Sequence, residues 1–185
     1  RRQRQMCIEP APAAGIIPLR KAIAQRLKED CGVDYDYTQI VVASGAKHSV
    51  YIALAAITNP GDEIIIPAPF WVSYYEMVRM VGGTPIIVEA GEKQNFKITA
   101  EQLEAAITDK TKCLMLNNPS NPTGMIYSKD ELSAIADVCV KHDLYILADE
   151  IYYQLIYDGI EFTSIASLGD CLLYTSPSPR DRSVS

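Results

Sequence analysis

Histidine is nearly absent from this 185-residue chain: His48 and His142 are the only two. That is too few for a histidine-rich metal centre, and no metal site is expected. The five cysteines, Cys7, Cys31, Cys113, Cys139 and Cys171, are odd in number and form no CxxC pair. Free thiols in a reducing compartment account for that pattern better than a disulfide framework or a zinc site. No apolar run approaches the roughly 20 residues of a membrane span, and no signal-peptide pattern is present. A cytoplasmic location is therefore expected. Basic charge is also short: 17 Lys and Arg stand against 23 Asp and Glu, a net charge of -6. A nucleic-acid surface needs a basic face, so no nucleic-acid partner is expected. Neither GxGxxG nor a Walker loop occurs, which argues against a dinucleotide or a nucleoside triphosphate.

What is present is a globular composition, 48% hydrophobic and 22% charged, long enough for one domain with a sizeable core. The spacing of Leu19, Ile23 and Leu27 predicts a helix over 18–30, with Pro18 near its start. Residues 40–43 (IVVA) read as a buried strand and 46–57 as a helix. Asn59-Pro60-Gly61-Asp62 is a turn. The alternation then repeats, with strands at 63–67, 85–89, 113–116 and 144–148. Helices are expected at 72–81, after Thr99 and after Ser128. Thr99 with Gln102 and Ser128 with Glu131 have the spacing of capping boxes. Strands alternating with helices predict an α/β fold, a mostly parallel sheet with helices on both faces. Ligands in such folds bind beyond the carboxyl ends of the strands.

Four loops occupy those ends. Ser44-Gly45-Ala46-Lys47 joins a strand to a helix; its glycine and the helix N-terminus suit a phosphate, although an ordinary turn has the same composition. Pro67-Ala68-Pro69-Phe70-Trp71 carries the single tryptophan, whose ring suits either stacking on a planar group or core packing. Asn117-Asn118-Pro119-Ser120-Asn121-Pro122-Thr123-Gly124 is too rich in turn formers for a mere connector, and Asn121 offers an amide. Ala148-Asp149-Glu150-Ile151-Tyr152 puts an acid at the end of an apolar strand. There it requires a cation or good hydrogen bonds.

These segments resemble the large domain of the class I and II aminotransferases, especially the aspartate aminotransferase-like branch. The matching text is A-A-G-I at 13–16, S-G-A-K at 44–47, N-P-G-D-E at 59–63, P-x-P-x-W at 67–71, N-P-S-N-P-T-G at 118–124 and A-D-E-I-Y at 148–152. The resemblance implies the fold-type I pyridoxal-phosphate-dependent transferase fold, incomplete at its C-terminus, and pyridoxal 5'-phosphate as cofactor. It implies that the backbone of Gly45, Ala46 and Lys47 holds the phosphate and that Trp71 stacks on the pyridine ring. Asp149 would pair with the ring nitrogen, and Asn121 and Tyr152 would bond the phenolic oxygen. Trp71 and Asn121 would also border the substrate carboxylate. Family positions with cis proline correspond to Ala68-Pro69 and Asn121-Pro122. The implied reaction is transamination between an amino acid, aspartate favoured, and a 2-oxo acid, by a cytoplasmic homodimer in amino acid metabolism. A β-elimination or C–S lyase on the same scaffold, or a cofactor-sensing domain of a transcription regulator, is the alternative.

The chain departs from the family in three places. The Schiff-base lysine that follows the A-D-E-x-Y strand is absent, so no catalytic residue is assigned. The family tyrosine before A-P-A-A-G is replaced by Pro10. Residues 171–185 have no periodicity and look like translated sequencing adapter. The organisation expected is an uncertain segment at 1–12, a partial cofactor-binding large domain at 13–170, and a non-family tail at 171–185. On this reading the 185-residue fragment lacks transaminase activity.

Overall fold

The run Glu63-Ile64-Ile65-Ile66, closed by the Asn59–Asp62 turn on one side and prolines on the other, gives a strand buried on both faces. In the computed structural model, which describes residues 12–168 and the backbone of 173–175, it is β1 (Glu63–Ala68). The remaining strands are β2 (Thr84–Glu89), β3 (Thr111–Asn117), β4 (Tyr145–Asp149) and β5 (Leu173–Thr175). They form one sheet in the order β2-β1-β3-β4-β5. Every pairing is parallel.

Before β1 come α1 (Ile17–Cys31) and α2 (Ala46–Ile57); between the strands lie α3 (Ser73–Met80), α4 (Ala100–Ala106) and α5 (Lys129–Lys141). Both predicted capping boxes form: the Thr99 hydroxyl accepts from Gln102 N–H, and the Ser128 hydroxyl from Glu131 N–H. Each satisfies donors that a helix start leaves open.

Side-chain alternation along the strands sorts the core into two layers. Ile64 and Ile66 of β1, Cys113 and Met115 of β3, and Leu147 of β4 pack with Val50 and Leu54 of α2 and Tyr74 and Val78 of α3. Their sequence neighbours Ile65, Leu114, Leu116, Ile146 and Ala148 pack on the opposite face with Leu103 of α4 and Leu132 and Ile135 of α5. This is the α/β arrangement that the sequence predicts.

The chain divides into two units, Arg1–Ala43 and Ser44–Ser185. The sheet and its four flanking helices belong to the second. In the first, α1 is tied to the 37–40 segment by the Arg20 guanidinium, which donates to the carbonyls of Ile40 and Thr38 at 2.8 and 3.1 Å. Leu27 is its buried residue, whereas Leu19, assigned to the same face from spacing, is 43% exposed.

One predicted strand is absent. Residues 40–43 form no ladder; the Val42 N–H instead makes a single bond to the Ala14 carbonyl at 3.0 Å. An apolar β-branched run becomes a strand only where a neighbour offers a full row of partners. No helix among the described residues is long and apolar enough to cross a membrane. The expectations for residues 1–11 of the first segment, and for the tail apart from the backbone of 173–175, lie outside the described residues.

Candidate active site

The three loops that follow β1, β3 and β4 meet beside the start of α2, and one connected set of contacts runs through them. At its exposed end is the first turn of α2. Gly45 caps that helix with φ 87° and ψ 162°, and no side chain caps it. Only glycine takes up such backbone angles without strain. A Cβ placed on Gly45 would meet nothing within 4 Å, and Gly45 itself is exposed; the first N–H groups of a helix have no partner within it. Lys47, the second residue of α2, sets its ammonium 4.8 Å from the centroid of the Trp71 ring.

Trp71 and Tyr74 are tied into one turn by the Tyr74 N–H donating to the Trp71 carbonyl at 3.0 Å. Their rings stand edge to face with centroids 5.4 Å apart. The Tyr74 hydroxyl donates to Asp149 Oδ2 at 2.7 Å. Asp149, the last residue of β4, is 3% exposed, and its other oxygen accepts the Ile151 N–H at 3.2 Å. Among the described residues no lysine, arginine or histidine pairs with it. Burial pushes its pKa up, opposed by the hydrogen bonds from Tyr74 and Ile151. An apolar strand has thus delivered a carboxylate to a dry place with two donors and no cation.

The set continues through the 117–124 loop. Asn117 Nδ2 donates to the Asp149 carbonyl at 2.8 Å, and Asn117 Oδ1 accepts the Asn121 N–H at 2.7 Å. Asn121 Nδ2 donates to the Tyr152 hydroxyl at 3.3 Å. Ala68-Pro69 and Asn121-Pro122 are both cis, and so is Asn118-Pro119.

The residues picked out from sequence, Gly45, Ala46, Lys47, Trp71, Asn121, Asp149 and Tyr152, therefore lie along one run of neighbours. Tyr74 and Asn117 complete it and were missed. Asn117 sat among turn formers with no feature to mark it. Tyr74 looks like a core position of α3, and its partner is 75 residues away.

The Aminotransferase class I and II family matches residues 4–176. The chain belongs to that family. It is 48% identical over 161 residues to an aspartate aminotransferase of Bacillus subtilis, covering 87% of this chain and 41% of the relative. It is 51% identical over 156 residues to an asparagine–oxo-acid transaminase of Streptococcus mutans, covering 84% and 40%. Among solved structures, an aspartate aminotransferase from Thermus thermophilus with maleate superposes with a TM-score of 0.86 at 40% identity, over 89% of this chain and 43% of that one. The chain spans about two fifths of the length of the curated relatives it matches.

Family membership implies pyridoxal phosphate, and the residues present fit that group. The uncapped start of α2 suits its phosphate. The buried Asp149 carboxylate, without a cation among the described residues, suits a protonated ring nitrogen. The half-buried Asn121 and Tyr152 offer donors for an anionic oxygen.

Proposed function

We infer that this chain supplies the cofactor-binding part of a pyridoxal-phosphate-dependent transaminase that exchanges amino groups between an amino acid and a 2-oxo acid. The observation that carries this reading is Asp149: a 3% exposed carboxylate at a strand end with two hydrogen-bond donors and no cation among the described residues. It awaits a positively charged partner.

When bound, pyridoxal phosphate supplies an electron sink for a bond broken at the substrate α-carbon. Asp149 keeps the proton on the ring nitrogen, which sustains that sink. The N–H groups of Gly45, Ala46 and Lys47 bind the phosphate at the α2 N-terminus. Trp71 covers one face of the ring, while Asn121 and Tyr152 donate to its phenolic oxygen. Trp71 and Asn121 also border the substrate carboxylate.

An aspartate- or asparagine-type donor is favoured, because two similar enzymes bear those names and the Thermus structure holds the dicarboxylate maleate. The setting proposed is cytoplasmic, with the whole protein a homodimer.

Binding is directly measurable. Trp71 is the only tryptophan, so intrinsic fluorescence excited at the indole band reports from the site itself. Pyridoxal phosphate added to the purified chain is expected to quench it saturably, and Asp149→Ala is expected to weaken the binding at least tenfold, the cost of about one charge-assisted bond. Absence of saturable quenching removes the reading.

A further inference from the structure

Among the described residues, Tyr74 supplies the side-chain hydrogen bond to the Asp149 carboxylate. We propose that Tyr74 is a positioning residue which holds Asp149 as an oriented anion, so that the shared proton rests on the cofactor's ring nitrogen and not on the aspartate. This rests on the cofactor reading above and adds to it a residue whose effect passes through Asp149.

The geometry leaves Tyr74 little other employment. It is 2% exposed, with its ring edge to face with Trp71 and in one apolar cluster with Ile64, Ile66 and Met115, and its hydroxyl 2.7 Å from Asp149 Oδ2. Burial, and the negative charge of Asp149 after it, push the phenol pKa far up, so Tyr74 remains a neutral donor. A fixed donor stabilises the ionised carboxylate and lowers its basicity.

In the loaded site two arrangements of one proton compete. In one, ring N–H donates to carboxylate; in the other, aspartic acid O–H donates to a neutral ring nitrogen. Atoms and charge balance in both, and only the position of the proton differs. Dry surroundings favour the neutral pair, whereas the Tyr74 and Ile151 donors favour the ionic one. Only the ionic arrangement leaves the ring strongly electron-withdrawing.

The other titratable groups acting on this pair are Tyr152 and Glu150, both from the segment after β4. Neither is a cation. Tyr74 therefore does the work that a positive charge would do elsewhere. Its placement follows from the P-x-P-x-W-x-x-Y run: the two rings stand at i and i+3 across the turn that opens α3, which puts them on one side.

The test uses the 185-residue chain and needs no turnover. The Asp149 carboxyl is titrated by carbon-13 NMR in the cofactor-free chain. The ring nitrogen is observed by nitrogen-15 NMR after adding labelled pyridoxal phosphate. Tyr74→Phe is expected to raise the Asp149 titration point and to move the bound nitrogen resonance downfield toward neutral pyridine. A merely structural tyrosine would lower the melting temperature and leave both resonances where they were, which would overturn the proposal.

Should Tyr74→Phe not fold, 3,5-difluorotyrosine introduced at position 74 keeps the shape and strengthens the donor. It is expected to shift both signals the opposite way, and unchanged signals count against the role. Failure of the chain to bind pyridoxal phosphate defeats the cofactor reading and the proton placement with it. Binding with unaltered resonances defeats the Tyr74 role alone.

Discussion

Glu150 sits beside Asp149 and is buried to the same degree, 3% exposed, yet it points into a different problem. Its carboxyl lies 2.9 Å from the Ser164 hydroxyl through both oxygens and accepts the Ile165 N–H at 3.2 Å. The Ser164 oxygen also accepts the Ala166 N–H at 3.3 Å. The Ser164 hydroxyl donates to that carboxyl and favours its anion, but the cost of burying the charge outweighs the bond. Burial pushes the Glu150 pKa up to about 7, with the neighbouring Asp149 charge adding to the rise. Between about pH 4.3, the ordinary glutamate value, and pH 7 the folded chain keeps a proton that the unfolded chain has released. Stability is therefore fully present below that window and is lost as pH rises through it, by about 4 kcal/mol. Urea unfolding should show a stabler chain at pH 5 than at pH 8. Glu150→Gln, which keeps the shape and an acceptor oxygen for Ser164 and Ile165 but cannot titrate, should flatten that slope. An equal slope in the variant would place the pH dependence elsewhere. Asp149 carries a shift of the same sign from burial, so a residual slope in the variant belongs to it.

The elements were legible where one residue type met one structural need. α2 runs from Ala46 to Ile57, as its apolar pattern predicts, and both capping boxes close. β1 is one residue longer than expected, ending at Ala68. Residues 40–43 show the limit: their β-branched run is as strand-like as β1, but a strand is a pairing, and composition alone does not provide the partner. Tyr74 shows another limit. The helix that carries it was predicted, but its hydroxyl acquires a role only from a carboxylate that the fold brings over from β4. Gly45 is the element-scale test of the site. Its φ of 87° and ψ of 162° lie where side chains other than hydrogen are strained, at about 1–3 kcal/mol. A methyl there would strike nothing, so Gly45→Ala separates backbone strain from crowding. The variant should melt at lower temperature by that amount of stability, and it should also bind pyridoxal phosphate less tightly because the helix start shifts. Unchanged melting together with unchanged cofactor affinity would mean that the Gly45 geometry serves neither purpose.

At the scale of the whole molecule, the sheet supports binding but does not by itself provide a base. Moving a proton at the substrate α-carbon requires a group of suitable basicity within reach of that carbon. On the proposed reading Asp149 is committed to the ring nitrogen; it lies buried, and the Tyr74 phenol is held neutral. The sequence contains no lysine after Lys141. The described lysine seen against the site is Lys47, whose ammonium stands over Trp71 in the first turn of α2. That turn is the one assigned to the phosphate, so Lys47 is better placed to meet anionic oxygens than a substrate α-carbon. The 185-residue chain is accordingly expected to bind pyridoxal phosphate without accelerating amino-group transfer from aspartate or asparagine to a 2-oxo acid beyond the rate with free cofactor. Borohydride reduction of the mixture, followed by peptide mapping, should recover no lysine labelled to one equivalent. Turnover together with full labelling at Lys47 would reverse this assignment, because it would make the phosphate-loop lysine the amine that joins the cofactor. Turnover that survives Lys47→Arg would instead point to a base other than any lysine named here.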